Sequence, residues 1–284
     1  MALPKKVALT VDLEEWTVPQ EFSSRRVPEA IKLEVACVGL KKILHILAME
    51  RIKATFFVTA WFAQRNHALL RNILEAGHEI ANHGLEHSPR LRRTWNEEIK
   101  TIMESTRIIE ESARVKLTGY REPYLAATKT TILALMQLGY RYDSSIMGTW
   151  LLGKYQWVVV PAVPFEWNTY ITGTEGNLIE LPLSTFSKLR VPVGWWWFRK
   201  NFGESITFAT ANLLFRLGEP FIMNVHTWEL VEVPVAYQVP SHIKYNCGER
   251  STQQIHHLIK RLKYCGAEFV LMKNMALDQL ANSR

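Results

Sequence analysis

The chain has 284 residues, 48% of them hydrophobic, and a formal net charge of +7. This is enough apolar material for one large α/β domain, and we expect residues 1–284 to form a single domain. Lysine and arginine are scattered along the sequence rather than gathered into one tract, which favours a solvated basic surface over a nucleic-acid interface.

At the start of the chain, a strand-like run begins at about residue 6, without the apolar core and cleavage site of a signal peptide. No later stretch approaches the roughly 20 consecutive apolar residues of a membrane-spanning helix. The three cysteines lack C-x-x-C spacing, so neither a disulfide framework nor a zinc–thiolate site is predicted. We therefore expect a soluble cytoplasmic protein, and peripheral contact with the inner face of a membrane stays open.

Along the first half of the chain, short apolar runs alternate with segments whose apolar residues have helical spacing. Strands are predicted at residues 6–12, 53–59, 78–82, 116–120 and 139–143. Helices are predicted at 34–51, 63–76, 94–113 and 128–138, where Gly77 stops the second and Thr94 with Glu97 forms a capping box for the third. This alternation predicts a parallel sheet or barrel whose active site lies at the carboxyl ends of the strands.

The alternation breaks down between about residues 144 and 200, where Trp, Pro and Gly are frequent. We interpret this part as a large insertion or irregular region with strand-like pieces at 157–160 and 178–181. Regular elements resume with a helix at 202–217, a strand at 220–226 and a helix at 251–265. A final strand at 268–272 and a short terminal helix complete the prediction.

Polar residues follow several of the predicted strands. Asp12 ends the first, His83 and His87 follow the third, Arg121 ends the fourth, and His226 ends the strand near the C-terminus. In a wound sheet or barrel these ends meet on one face, so residues far apart in sequence become neighbours. On a helical turn the two histidines before Arg121 would lie on one side, and one carboxylate would complete a three-ligand catalytic metal site. Taken singly, each residue also has an ordinary structural explanation.

Four segments carry a resemblance to a known family: TVDLEEW at residues 10–16, NHGLEH at 82–87, REPY at 121–124 and VHTWE at 225–229. In this order they are similar to the motifs of the polysaccharide deacetylase family, the carbohydrate esterases built on the NodB-type domain. The resemblance spans roughly residues 6–230. It implies an α/β fold, a distorted (β/α) barrel of the NodB type with an irregular aromatic-rich insertion, and one divalent metal ion.

The resemblance also implies roles for residues in the first two motifs. Asp12 corresponds to the general base, and His83 and His87 correspond to metal ligands. The family's usual adjacent aspartate is absent at position 13, so the third ligand is assigned to Glu14, which shares a side of the extended strand with Asp12. Glu15 is the alternative ligand.

Three further residues take roles from the other two motifs. Arg121 corresponds to the arginine that orients the base and keeps it ionised, and Tyr124 to the residue whose backbone N–H stabilises the oxyanion. His226 corresponds to the general acid that protonates the leaving amine. Relatives often pair this histidine with an aspartate, and Asp143 is the available candidate, although its flanking residues do not match that motif well.

The aromatic segment GWWWF at residues 194–198 is the best clue to the substrate. If it is a strand, alternate side chains face opposite sides, so its four aromatic side chains cannot all be buried. In the simplest interpretation two of them fill the core and two are incidental. Alternatively they stack on sugar rings in the cleft, or they lie at a membrane interface with Lys188, Arg190, Arg199 and Lys200.

Together these features predict a cytoplasmic, metal-dependent deacetylase that removes an N-acyl group, most simply N-acetyl, from an amino sugar in surface-polysaccharide or glycolipid biosynthesis. The expected cofactor is Zn²⁺, with Co²⁺ or another divalent transition metal as the alternative. The acylated sugar is free, nucleotide-linked or lipid-linked, nucleic acid is not an expected partner, and the oligomeric state stays open. Two alternatives remain: a deformylase or other C–N amide hydrolase of the family, and a catalytically silent carbohydrate-binding relative.

Overall fold

A computed structural model describes residues 4–23, 26–88, 93–149, 160–171, 177–186 and 189–282. One sheet organises this part of the chain. Its strands are β1 (Lys6–Leu13), β2 (Thr55–Val58), β3 (Glu79–Asn82), β4 (Gly119–Tyr120), β5 (Tyr142–Asp143), β6 (Phe165–Glu166), β7 (Ile179–Glu180), β8 (Phe221–His226) and β9 (Glu268–Phe269).

The α-helices are α1 (Val18–Phe22), α2 (Glu29–Glu50), α3 (Ala60–Arg65), α4 (His67–Glu75), α5 (Trp95–Ala113), α6 (Lys129–Gln137), α7 (Trp196–Arg216), α8 (Ser241–Lys244), α9 (Glu249–Tyr264) and α10 (Met272–Asn282). Two short 3₁₀ helices matter for the site because they follow strands β4 and β8. They span Pro123–Leu125 and Thr227–Leu230.

The strand order is β6, β7, β5, β4, β3, β2, β1, β8, and β9 also pairs with β1. Neighbouring strands are parallel except β6, which is antiparallel to β7. The sheet curls into a half-barrel, and the predicted α/β fold of the distorted-barrel type is confirmed.

Strand β1 pairs with β2 on one side and with β8 on the other, and its apolar and β-branched residues are buried on both faces, as in parallel sheets covered by helices. Its register places Asp12 opposite Phe57 of β2 and opposite His226 of β8. The largest core cluster joins these strands to the surrounding helices, for example through the fully buried Leu40 of α2 and Ile259 of α9. The carboxyl ends of β1 and β8 therefore lie level with each other.

Several predicted helix boundaries are confirmed, and others shift for local reasons. Helix α5 starts at the predicted capping box, in which Thr94 Oγ1 accepts from the N–H of Glu97 and Glu97 Oε2 accepts from the N–H of Thr94. The predicted helix at 63–76 is divided into α3 and α4 because Asn66 has a non-helical φ of −141°. The predicted final strand is shorter than expected because α10 already begins at Met272.

In the irregular region, the strand-like piece at 178–181 is confirmed as β7, whereas β6 was not predicted. Near the start of the chain, the short helix α1 was not predicted either. Most of the predicted piece at 157–160 lies outside the described residues.

The aromatic segment at 194–198 is not a strand, so the premise of its interpretation was wrong. Trp195 is the N-cap of α7, and Trp196 begins the helix. Helical geometry buries Trp196 and Phe198 and leaves Trp195 and Trp197 partly exposed. Gly194 is required by close packing, because a Cβ there would lie 2.1 Å from the backbone oxygen of Ile222 in β8.

The alternative that put four cations at a membrane interface is contradicted for two of them. Arg199 and Lys200 are 1% and 0% exposed, because the first turns of α7 turn these side chains into the protein. Arg190 donates to the backbone oxygens of Gly148 and Val160, at 3.1 and 2.9 Å. Lys188 lies outside the described residues.

Candidate functional site

The base and acid candidates lie side by side at the carboxyl end of the sheet. Asp12 on β1 and His226 on β8 are register partners in the parallel ladder, and His226 Nε2 lies 3.5 Å from Asp12 Oδ2. Both side chains are almost fully buried. Two residues that are 214 positions apart in sequence are thus adjacent because they end neighbouring parallel strands in register.

Asp12 is held as a carboxylate. Its Oδ1 accepts a hydrogen bond from Arg121 Nη1 at 2.7 Å, and its Oδ2 accepts from Asn224 Nδ2 at 2.9 Å. Burial alone would raise the pKa of Asp12, but Arg121 and His226 outweigh burial and hold this pKa well below its ordinary value. The group is therefore ionised at neutral pH and can accept a proton.

Arg121 is fixed by contacts on every side, as a residue that orients a base requires. Its Nε and Nη2 donate to the backbone oxygen and Oγ of Ser144, and its Nη1 also donates to Thr10 Oγ1. The guanidinium carbon lies 4.0 Å above the centre of the Phe57 ring. The side chain is 0% exposed, so its charge is little screened by water at Asp12.

Asn224 was missed by the sequence reasoning, although a signal was present. It lies two residues before His226 on β8, so both side chains point to the same face of the strand. Its amide donates to Asp12, and its Oδ1 accepts from the backbone N–H of Trp196 at the start of α7. Asn224 therefore links the base to the aromatic segment.

Three other predicted residues converge beside this pair. Glu14 Oε2 lies 3.3 Å from His83 Nε2 and 3.1 Å from His87 Nε2. One candidate ligand atom from each residue lies within 4.8 Å of the others, and all three residues are buried. Glu14 extends from the end of β1 and the histidines follow β3, so the two strands flanking β2 supply the cluster.

The two histidines do not lie on a helical turn, so that part of the prediction was wrong. Residues 83–88 form an irregular loop. Asn82 Oδ1 accepts from the N–H of Gly84, whose φ of +78° turns the chain, and the oxygen of Gly84 accepts from the N–H of Ala60. The loop brings the imidazoles together without helical geometry, and their ring centres are 5.8 Å apart.

The chemistry of this cluster fits a cation. His83 Nδ1 lies 2.7 Å from the backbone oxygen of Arg121, to which it can only donate, so Nε2 carries a lone pair toward Glu14. Burial also lowers the pKa of His83 and thus favours its neutral form. Among the residues that the structure describes, Glu14 Oε2 accepts no hydrogen bond. Electron-rich atoms facing each other in a buried site are the arrangement that a divalent ion stabilises.

Glu15, the alternative ligand, is engaged elsewhere. Its Oε1 accepts from the backbone N–H of His87 at 2.6 Å, and its Oε2 accepts from Thr59 Oγ1 at 2.9 Å. Glu15 thereby supports the loop that carries His87. The geometry leaves Glu14 as the carboxylate that faces both imidazoles.

The carboxylate partner of His226 is Glu229 rather than Asp143, the candidate that the sequence offered without a good motif match. His226 Nδ1 lies 3.3 Å from Glu229 Oε1, because the 3₁₀ helix after β8 brings a residue three positions later back to the histidine. Burial opposes the imidazolium, but the hydrogen bond to Glu229 and the nearby carboxylates outweigh burial and raise the pKa of His226. A raised pKa suits a general acid at neutral pH.

Glu229 is in turn held by a buried cation. Arg199 Nη2 donates to Glu229 Oε2, and Arg199 Nη1 lies 3.3 Å from both Ser251 Oγ and Gln254 Oε1 of α9. Burial would raise the pKa of Glu229, and Arg199 together with His226 lowers it. Arg199 therefore holds Glu229 in place, and Glu229 in turn orients the imidazole of His226 through its Nδ1.

Asp143 has a different environment. Its Oδ1 accepts from Ser145 Oγ at 2.5 Å, and the residue is the register partner of Glu180 on β7. Burial raises the pKa of Asp143 to about 6, and burial with the neighbouring Asp143 raises the pKa of Glu180 as well. Ser145 Oγ accepts from the backbone N–H of Glu122. Asp143 thus supports the segment that carries Arg121 rather than His226.

Tyr124 lies in the 3₁₀ helix after β4 and has an unusual backbone. Its φ is +59°, a region that non-glycine residues rarely occupy and that is often found at functional sites. Its ring packs on His87 with centres 4.1 Å apart. The structure therefore places Tyr124 beside the cluster, and the oxyanion role of its backbone N–H stays a prediction.

A cavity of about 190 Å³ unites these groups. Asp12, Glu14, both histidines of the cluster, Arg121 and His226 form its polar floor. Apolar side chains complete its wall: Val18, Phe22, Leu125, Trp195, Trp228 and Ile243. Trp196 and Trp228 lie against His226, with ring centres 5.5 and 5.4 Å from the imidazole. The arrangement offers an ionised base, a charged acid and a cation site within one small pocket.

Comparisons with known proteins connect this geometry to a family. Residues 38–142 match the sequence model described as polysaccharide deacetylase, which covers His83, His87, Arg121 and Tyr124. A peptidoglycan deacetylase of Helicobacter pylori (strain ATCC 700392 / 26695) is 24% identical over 157 residues, which are 52% of this chain and 54% of that protein. The chain thus spans about half the length of this curated relative.

Solved structures share the fold over nearly the whole chain. A candidate polysaccharide deacetylase from Mycobacterium smegmatis has a TM-score of 0.71 at 22% identity and covers 100% of this chain and 92% of that one. An allantoinase structure has a TM-score of 0.69 at 15% identity, with coverage of 96% and 89%. At these identities the similarity establishes the fold, and the resemblance predicted from the four sequence motifs is confirmed.

Proposed function

We propose, from the premise that the chain belongs to the polysaccharide deacetylase family, that it is a metal-dependent hydrolase of the N-acyl group, most simply N-acetyl, of an amino sugar. The observation that carries the proposal is the shared cavity, in which Asp12 and His226 lie 3.5 Å apart beside the cluster of Glu14, His83 and His87. The family supports hydrolase activity on acylated carbohydrate. The metal and the particular sugar belong to the proposal.

Glu14, His83 and His87 would hold the ion. A divalent transition metal there, most simply Zn²⁺, would polarise the acyl carbonyl and make a water molecule more acidic. The protein's own part is to present Glu14 beside the two imidazoles, and the backbone oxygen of Arg121 fixes the tautomer of His83.

Proton transfer falls to the two strand-end residues. Asp12 takes a proton from a water molecule while the oxygen of that water bonds to the acyl carbon. His226 then gives its Nε2 proton to the nitrogen as the C–N bond breaks, so that a neutral amine leaves instead of a strongly basic nitrogen anion. Arg121 and Asn224 keep Asp12 ionised, and Glu229 keeps the imidazole charged, so both groups begin in the required protonation state.

The cavity bounds the substrate. At about 190 Å³ it is smaller than the roughly 300–1,000 Å³ of typical small-molecule sites, which favours one acylated sugar over several rings. We propose that the reaction belongs to surface-polysaccharide or glycolipid biosynthesis, with a single sugar on a carrier as the substrate. The same size favours one alternative, a C–N hydrolase of a formyl amide or a small cyclic amide.

The deciding experiment measures acetate release and bound metal on the same purified protein. The purified chain should contain about one divalent ion and should release acetate from N-acetylglucosamine derivatives, and chelation should abolish release until metal is restored. N-formyl sugars and cyclic amides are assayed in parallel, and faster hydrolysis of these compounds would favour the alternative C–N hydrolase over the deacetylase. Stoichiometric metal without turnover of any amide would identify a silent relative and overturn the proposal.

A further inference from the structure

Helix α7 carries apolar residues on two opposite faces. One face packs into the protein through Ala211, Leu214 and Phe215. On the other face Phe202, Ile206, Leu213 and Leu217 are 50%, 49%, 43% and 48% exposed. Ile206, Leu213 and Leu217 are seven and four residues apart, which aligns them along one side of α7, and Phe202 precedes Gly203, whose φ of +84° interrupts the helix. We call these four residues the outer stripe.

The outer stripe is continuous with the cavity. The ring centre of Phe202 lies 6.0 Å from that of Trp197, and Trp197 is stacked on Trp195 at 5.8 Å with an interplanar angle of 26°. Trp195 lines the cavity. Since Trp197 is only partly buried, an apolar path runs from the pocket wall to Phe202 at the start of the outer stripe.

Helix α7 and its neighbour α9 carry more basic than acidic residues. Arg261 of α9 reaches α7, where it donates to Ser205 Oγ at 2.8 Å and lies 4.2 Å above the ring of Phe208. Further cations on the two helices are the exposed Arg216, Arg250 and Lys260, against the acidic Glu204 and Glu249. The whole chain has a net charge of +7. Apolar side chains beside cations are the combination that binds anionic lipid surfaces.

We propose that the outer stripe binds the surface of an anionic lipid bilayer. The side chains of α7 enter the interface between head groups and acyl chains, and the nearby cations face lipid phosphates. The path through Trp197 and Trp195 would then lead the sugar of a lipid-linked substrate from the bilayer to the cavity. This last step rests on the proposed deacylation, whereas the binding of the bilayer does not. Among the described residues, no helix is long and apolar enough to cross a bilayer.

The area of the outer stripe disfavours a second copy of the chain as its occupant. A large side chain presents roughly 200 Å², so four half-exposed ones offer about 400 Å². A stable protein–protein interface usually needs about 800 Å² on each partner. Insertion into a lipid interface has no such minimum, because bound area and charge attraction add to each other.

The test compares vesicle binding of two double variants. Ile206→Ser with Leu213→Ser removes the middle of the outer stripe, and Met49→Ser with Met103→Ser removes two equally exposed apolar side chains from α2 and α5, at 55% and 54% exposure. Sedimentation with phosphatidylglycerol vesicles should retain the unaltered chain and the Met49/Met103 variant. The Ile206/Leu213 variant should bind at least tenfold less, and phosphatidylcholine vesicles should bind all three weakly.

Two outcomes would overturn the inference. Equal vesicle binding by both double variants, or no binding by the unaltered chain, would exclude the stripe as a membrane surface. A dimer in light scattering that only the Ile206/Leu213 substitutions dissociate would assign the stripe to a second copy. Acetate release from a soluble substrate, measured on the same samples, reports separately on the proposed function, since neither variant alters the cavity lining.

Discussion

At the scale of single residues, the site depends on keeping two neighbouring groups in opposite charge states. Asp12 and His226 are 3.5 Å apart, and each is held by its own buried counterion, Arg121 for the aspartate and Glu229 for the histidine. Opposite charges at this distance also stabilise each other. The pair is therefore prepared for proton transfer in both directions before any substrate enters.

The substitution Asp12→Asn should show whether Asp12 acts as a general base or as a metal ligand. Asparagine keeps the shape and hydrogen-bonding length of the side chain but cannot take a proton from water, so turnover should fall by about a hundredfold or more. Metal content should stay near one equivalent, because Glu14, His83 and His87 are unchanged. Metal analysis and acetate release on the same preparation check this. Joint loss of metal and activity would make Asp12 a ligand.

Glu229→Gln should shift the pH profile of turnover. Glu229 raises the pKa of His226, so its removal lowers that pKa, and the imidazolium is lost at lower pH. The alkaline limb of the profile should move to lower pH, with activity largely recovered below it because Asp12 stays ionised there. Gln254→Leu, which removes one contact of Arg199 and keeps Glu229, is the control. An unshifted limb with uniformly reduced turnover would show that Glu229 acts only structurally.

At the scale of elements, the acid histidine depends on how closely α2 packs on the turn after β8. A Cβ on Gly39 of α2 would lie 1.9 Å from the backbone oxygen of Thr227, which follows His226 directly. Backbone cannot move aside as a flexible side chain can. The glycine in α2 is thus explained by this contact rather than by helix preference.

Gly39→Ala should therefore destabilise the protein, although the same change in an open helix stabilises by about 1 kcal/mol. Overpacking of this kind typically costs about 1–3 kcal/mol, and displacement of Thr227 should also reduce turnover. Urea unfolding at neutral pH measures the effect, with the neighbouring Val38→Ala, at a partly exposed position, as control. A stability equal to or above that of the parent would contradict the packing argument.

Elements with strong periodicity could be predicted from the sequence, and the residues at strand ends could be placed with them. The positions of Asp12 and His226 could be predicted from the rule that active sites lie at the carboxyl ends of parallel strands. Glu229 could not be placed, because its contact with His226 depends on a 3₁₀ turn that apolar patterning does not reveal. One alternative placed Arg199 at a membrane interface, and its burial could not be foreseen because the start of the helix at Trp196 was not predicted.

At the scale of the whole molecule, the candidate metal site joins parts of the chain that are far apart in sequence. Glu14 follows β1, whereas His83 and His87 follow β3, and β2 separates these strands in the sheet. An unfolded chain does not hold these three groups together. A metal bound at the cluster therefore binds mainly to the folded state, and its binding free energy adds to the free energy of unfolding.

Zinc should accordingly raise the unfolding temperature of the metal-free chain, by an amount equivalent to about 2.7 kcal/mol when free metal is a hundredfold above its dissociation constant. His83→Ala should lose most of this shift, because two remaining ligands hold the ion weakly. His67→Ala, which removes an exposed imidazole outside the cluster, should keep the full shift. Calorimetry with and without zinc measures all three chains. Equal stabilisation of the His83 variant would place the ion elsewhere, and the chemistry assigned to this edge of the sheet would then have to proceed from Asp12 and His226 alone.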